Sequence, residues 1–122
     1  MKTSDLQQSL LENKKQIHQL GQLQYNFEPE NVKRNLLSLF SPNARVQLCF
    51  PFEEMAGAEA FFNHALMPLF LSMPDLERRD TIIMSGPTAK GENWVGCCGY
   101  YCGTFDKPWL DIPATGHMVS LR

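Results

Sequence analysis

Long apolar runs are scarce in this 122-residue chain. The most apolar stretch, Ala65–Met73, is interrupted by Pro68 and falls far short of the ~20 residues that a membrane-spanning helix needs, so no membrane span is expected. Charge of one sign is scarce too. Eleven Lys and Arg stand against 13 Asp and Glu, a net charge of −2, and no basic cluster is present that would neutralise several phosphates; nucleic acid is not expected as a partner. The opening residues Met1–Asp5 are polar and lack the apolar core of a secretory signal, which points to the cytoplasm. Dinucleotide, phosphate-loop, zinc-protease and nucleophile-elbow motifs are all missing. So are internal repeats and low-complexity segments. The four cysteines, Cys49, Cys97, Cys98 and Cys102, form no paired C-x-x-C arms, so no metal site is expected. They read as reduced strand thiols or, for one of them, as a reactive group at a pocket wall.

The composition itself is globular, with 43% apolar and 11% aromatic residues. Residues 1–122 fit one domain, large enough to hold a core without disulfides or metal. Thr3 and Ser4 stand as caps before Leu6, Leu10, Ile17 and Leu20, a stripe near helical spacing. That helix ends at Gly21 or runs on to Tyr25. Pro29, flanked by Glu28 and Glu30, opens a second helix whose buried side is expected to be Val32, Leu36, Leu37, Leu39 and Phe40. Alternation over Arg45–Phe50 predicts a strand. Gly57 opens a third helix, apolar nearly all round, with a kink or break at Pro68. Strands are expected at Glu77–Ser85, Trp94–Phe105 and Met118–Leu121, with a loop at Asp106–Asp111.

Helices early and an antiparallel sheet late give an α+β fold, with a curved sheet packed on N-terminal helices. Gly96, Gly99 and Gly103 crowd the longest strand, where they favour bulges and bending. A bent sheet closing over helices leaves a cavity, the default place for a ligand.

Two segments carry a family resemblance: Gly99-Tyr100-Tyr101-Cys102-Gly103-Thr104-Phe105, then Ile112-Pro113-Ala114-Thr115-Gly116. They resemble the G-x-H-x-G-x-F or G-H-Y-x-G-T-F segment and the I-P-[PA]-T-G segment of the SnoaL-like group (polyketide cyclase and ester cyclase-like proteins) within the nuclear transport factor two-like superfamily. Gly57-Ala58-Glu59-Ala60-Phe61 is similar to the helix after that group's first strand. The resemblance spans Pro29–Arg122. It implies a cone-shaped α+β barrel, cofactor-free and often a homodimer, with an apolar pocket for a small molecule. Some members close polyketide rings by an aldol step, using an acid and a histidine. Here Tyr100 and Tyr101 stand in place of that histidine, no acid follows Gly116, and the last one or two strands of the group are missing from the expected sheet.

Two functions therefore stand side by side. One is a cofactor-independent lyase or isomerase acting on an apolar carbonyl compound. The other is a non-catalytic small-molecule-binding or dimerisation module. For the first, Tyr101 is the candidate that orients a carbonyl by donating a hydrogen bond, and His117 the candidate proton carrier. Trp94, Cys97, Tyr100, Phe105 and Trp109 are the candidate ligand-binding residues, with sheet or loop packing as their alternative role. Glu77, Arg78, Arg79 and Asp80 read as a polar strand face with cross-strand charge pairs.

Overall fold

A computed structural model describes residues 3–122. Helix α1 (Thr3–Tyr25) passes straight through Gly21, and Ser4 lies inside it. Met1 and Lys2, part of the polar opening read above, lie outside the described residues. Helix α2 (Pro29–Leu39) begins on proline, whose fixed φ suits a first turn, and buries Val32 and Leu36 completely. Leu39 and Phe40 are half-buried on the same flank, but Leu37 is 51% exposed, because one residue after Leu36 the helix has turned by about 100°.

The first strand is shorter than its alternation predicts. β1 (Arg45–Gln47) pairs antiparallel with β2 (Glu54–Ala56), a three-residue strand too short to show a pattern in the sequence. Between them the chain turns back. Leu48 N–H donates to the Glu53 carbonyl at 2.8 Å, and Phe50 is 84% exposed. The third helical region is continuous but not uniform. α3 (Gly57–Phe61) widens into a π-helical segment (Phe62–Leu66), which leads into α4 (Met67–Ser72) with Pro68 in its first turn. Proline offers no N–H and its ring would press on the carbonyl four residues back, so the ladder changes pitch just ahead of it instead of breaking.

β3 (Glu77–Pro87), β4 (Asn93–Thr104) and β5 (Met118–Leu121) form one antiparallel sheet in that order. β3 carries an extra residue between Asp80 and Ile82, opposite Gly99 and Cys98 of β4. This is the bulge that the glycines announced. A side chain at Gly99 would run into the Arg79 carbonyl and lie 2.8 Å from Asp80 Cα, so only glycine allows the two backbones this close. α1 lies along β3, tied to it by Ser85 Oγ–H donating to the Leu10 carbonyl at 3.0 Å.

The core lies between the helices and the concave side of the sheet. Phe27, Val32, Leu36, Phe62, Leu66 and Phe105 belong to it, with Phe27 stacked on Phe70 at 5.0 Å. The opposite side of the sheet is bare, with Ile82, Met84, Trp94 and Met118 all more than half exposed. Among the described residues no helix is long and apolar enough to cross a membrane.

Candidate functional site

Strand alternation sorts the candidate residues by face. Tyr101, Gly99, Cys97 and Val95 share the concave side of β4, while Tyr100, Cys98, Gly96 and Trp94 share the other. On β3, Arg78 and Asp80 face the concave side, and Glu77 and Arg79 face outward. The charges of β3 therefore pair within the strand at i, i+2, not across to β4. Arg79 binds Glu77 at 2.7 Å on the exposed face. Arg78 Nε–H and Nη2–H both donate to Asp80 Oδ1, at 2.9 and 2.8 Å, with side chains only 15% and 11% exposed.

This buried ion pair is the centre of the site. The Arg78 guanidinium lies over the Tyr101 ring, 4.8 Å from its centroid. The Tyr101 hydroxyl donates to Gln24 Oε1 of α1, and Gln24 is itself buried. Asp80 reaches the helix where Gly21 has no side chain; a Cβ there would collide with its carboxylate. A glycine inside α1 thus makes room for a carboxylate on β3. Burial pushes the Tyr101 phenol up to about 12, even though Arg78 pulls the other way, so at neutral pH it is a hydrogen-bond donor and not a base. Partial burial, with Asp80 nearby, also raises the Cys97 thiol above its usual value, which disfavours a thiolate nucleophile. For Arg78, burial is the largest single influence and works against the charge, but the hydrogen bond it donates to Asp80, together with the charges of Tyr101, Asp80 and Cys97, outweighs it, and the guanidinium is held cationic.

Beside this cluster a groove of about 530 Å³ opens to solvent. Arg78, Thr81, Tyr100 and Arg122 line it together with the Cys97–Gly99 stretch of β4, and Thr81 Oγ1–H donates to the Cys98 carbonyl at 3.0 Å. Arg122 lies over the Tyr100 ring at 5.3 Å. The groove walls mix guanidinium, thiol and aromatic groups.

The structure brings Tyr101, Cys97 and Tyr100 to this region and leaves the other candidates elsewhere. His117 is exposed, and its carbonyl accepts from Phe105 N–H at 3.0 Å. Tyr101 pairs with Leu121, so four strand residues, about 13 Å, separate the two candidate catalytic side chains along the ladder. Phe105 is a core residue. Trp109 packs on the core with its ring 6.4 Å from Phe52. Trp94 stands 63% exposed on the bare face. Arg78, Asp80 and Gln24 were not singled out from the sequence, although the i, i+2 spacing of Arg78 and Asp80 already put them on one face. Cys49, Cys97 and Cys98 are exposed free thiols, and Cys102 is half-buried. Among the described residues no group of three His, Cys, Asp or Glu side chains is arranged to hold a metal ion.

No family model matches the sequence, and no curated protein does. Among solved structures the chain is similar to a candidate SnoaL-like polyketide cyclase from Jannaschia sp. CCS1, with a TM-score of 0.67 and 21% sequence identity, over 87% of this chain and 68% of that one. The fold of the chain is thus SnoaL-like: α+β, with N-terminal helices packed on a curved antiparallel sheet.

Proposed function

We propose that this chain binds a small apolar carbonyl compound in the groove beside Arg78, Asp80 and Tyr101 and acts on it, without a cofactor, as a lyase or isomerase. The observation that supports this most is the ion pair itself. A carboxylate and a guanidinium held nearly out of water beneath a neutral phenol are costly to bury unless something uses them. In this reading the ligand carbonyl replaces Gln24 as acceptor of the Tyr101 hydrogen bond. The Asp80 carboxylate takes a proton from the carbon next to that carbonyl, and Arg78 balances the negative charge that moves onto the oxygen. Returning the proton to another carbon of a conjugated enolate completes an isomerisation; attack of the enolate carbon on a second carbonyl, with the proton held by Asp80 passing to the alkoxide that forms, completes an aldol-type closure. The likeness to a cyclase candidate agrees with this class of chemistry.

The test requires no knowledge of the natural substrate. An aryl methyl ketone in heavy water exchanges its methyl protons slowly, and NMR follows the exchange. The chain should speed it up, Asp80→Asn should lower the acceleration by ~100-fold or more, and Tyr101→Phe should lower it by a smaller factor. His117→Ala should leave it unchanged, given its distance from Tyr101. Exchange at the buffer rate would remove the catalytic reading.

One observation favours the second reading, a non-catalytic binding or dimerisation module. The Tyr101 hydroxyl already donates to Gln24, and Arg78 and Asp80 already neutralise each other, so the cluster is satisfied without a ligand. Ketone-induced shifts in the groove resonances without exchange would select it.

A further inference from the structure

On the inner side of α1, Leu10, Ile17 and Leu20 are half-buried and Gln24 is buried. Leu11, Lys14, Lys15 and His18 stand at i, i+3, i+4 and i+7 and form a second, exposed stripe about 100° round the helix. Ile82 and Met84 of β3 lie on the bare side of the sheet, so Ile83 and Ser85 face the helix, and Ser85 is the residue bonded to the Leu10 carbonyl. Between the second stripe and Ile83 runs a groove of about 310 Å³, with Gln19 completing its walls. That volume is at the lower end of the range for small-molecule sites. No carboxylate lines the groove. Lys15 is paired with Glu12 at 3.7 Å, but among the described residues Lys14 and His18 have no carboxylate partner.

We infer that this groove binds a fatty acid of medium chain length, with the alkyl chain along Leu11 and Ile83 and the carboxylate between Lys14 and His18. It shares no lining residue with the groove beside Arg78, and the inference stands apart from the ligand reading given to that groove. Three features select this occupant. The walls are mainly apolar: Leu11 and Ile83 offer branched side chains, and the two lysines bring methylene stems as well as ammonium groups. An unbranched alkyl chain covers such a surface and loses nothing by leaving water. The uncompensated donors stand together, since Lys14 and His18 are one turn apart on the same face and one carboxylate can meet both. The charge thus complements an anionic head at one place and leaves the rest of the groove neutral. The third feature is shape. Of the large apolar side chains of α1 only Leu11 and Tyr25 are well exposed, about four turns apart, so a flat bilayer would gain too little apolar contact to hold this helix. A recess between a helix and a strand suits a single chain.

Titration of the isotope-labelled full chain with octanoate, decanoate and decanol, followed by NMR, tests the inference. Decanoate should bind saturably and shift the resonances of Leu11, Lys14, His18 and Ile83. Going from octanoate to decanoate should tighten binding roughly fourfold, half the effect of complete burial, because one side of the chain stays in water. Decanol should bind roughly fivefold more weakly than decanoate, the value of two exposed charge contacts. Lys14→Gln with His18→Gln should bring decanoate down to the level of decanol and leave decanol unchanged. Leu11→Glu should abolish binding of decanoate while the chain melts as the parent does, since this position is 46% exposed. Equal affinity of the parent for decanoate and decanol would overturn the inference, as would decanoate binding that survives Leu11→Glu. So would decanoate that shifts only Arg78, Cys97 and Tyr101, since the acid would then occupy the other groove. Shifts of α1 by phosphatidylserine vesicles but not by decanoate would make the face a membrane contact instead. A glutamate-rich peptide that reproduces the shifts, with octanoate and decanoate binding alike, would make it a peptide surface. Ketone exchange measured without fatty acid reports on the ligand reading separately.

Discussion

Removing the carboxylate of Asp80 tests whether the ion pair is structural, functional or both. Asp80→Ala leaves Arg78 with a side chain only 15% exposed and no counter-charge, while its other neighbour is the face of Tyr101. Breaking one side of a buried pair costs about 3–5 kcal/mol. Because both side chains keep some contact with water, the lower end applies, about 3 kcal/mol. For a domain of this size that is a large share of a total near 5–15 kcal/mol, and it lowers Tm by roughly 12 °C at about 4 °C per kcal/mol. Calorimetry and urea unfolding measure it. The informative companion is the double replacement Arg78→Met with Asp80→Leu. Leucine has the branched outline of aspartate and methionine the reach of the arginine stem, so the double variant should recover most of the loss or exceed the parent. A double variant as unstable as Asp80→Ala would refute the charge argument and show that the loss is one of packing. Asp80→Ala within about 0.5 kcal/mol of the parent would show that water reaches the pair freely. If the double variant is stable yet no longer binds or turns over ketone, the pair is kept for function.

Phenolate absorbance during an alkaline titration should show one of the three tyrosines ionising late, near 12, and Tyr101→Phe should remove that step. Because the folded value lies above the unfolded value of 10, the stabilisation is complete below pH 10 and is lost as pH rises toward 12; Tyr101→Phe should resist alkaline unfolding better than the parent over that window. Asp75 accepts hydrogen bonds from the Thr104 backbone N–H and hydroxyl, each at 2.7 Å, and the backbone donor above all holds its carboxyl below the ordinary 3.8. Its contribution is present above pH 3.8 and is lost as pH falls through the folded value, so the stability gap between Asp75→Asn and the parent should close on acidification below 3.8. Gly21→Ala improves helix propensity by up to about 1 kcal/mol but drives a methyl into the Asp80 carboxylate, and the net should be destabilising by about 1–2 kcal/mol in urea unfolding. Leu36→Ala should cost about 2–5 kcal/mol, whereas Leu37→Lys should change stability by less than about 0.5; equal costs would show that α2 is rotated from the position described.

The parts of the fold that were legible in the sequence are those written by local chemistry. Pro29 sets the start of α2, the glycine-rich run Trp94–Phe105 falls within one residue of β4 at each end, and Met118–Leu121 is β5. The crowding of Gly96, Gly99 and Gly103 foretold a bent sheet, and the bulge lies opposite Gly99. What was not legible depends on partners distant in the chain. Leu48–Phe50 alternates like a strand but leaves the sheet, because its hydrogen bonds go to the turn before β2. β2 has three residues and owes its existence to β1. Leu37 looks as apolar as Leu36, and only the position of α3 decides which is buried.

The same distinction explains the site. Tyr101 was singled out because it stands in the segment that resembles the family motif, but the side chains around it come from elements that share no motif with it: Gln24 on α1, and Arg78 and Asp80 on β3. In the sequence Glu77-Arg78-Arg79-Asp80 is an ordinary polar strand face with two acids and two bases. Period-two alternation divides it into two i, i+2 pairs, and the tertiary fold makes them unequal by pressing α1 against one face and leaving the other in water. Gly21 is the link between the two levels, since its missing side chain is what lets a carboxylate lie under a helix. Substituting tyrosine for the histidine of the related motif therefore changes what the strand offers. A ring that titrates near neutrality is replaced by one that stays protonated at neutral pH, and the carboxylate of the cluster stands on the neighbouring strand, at Asp80.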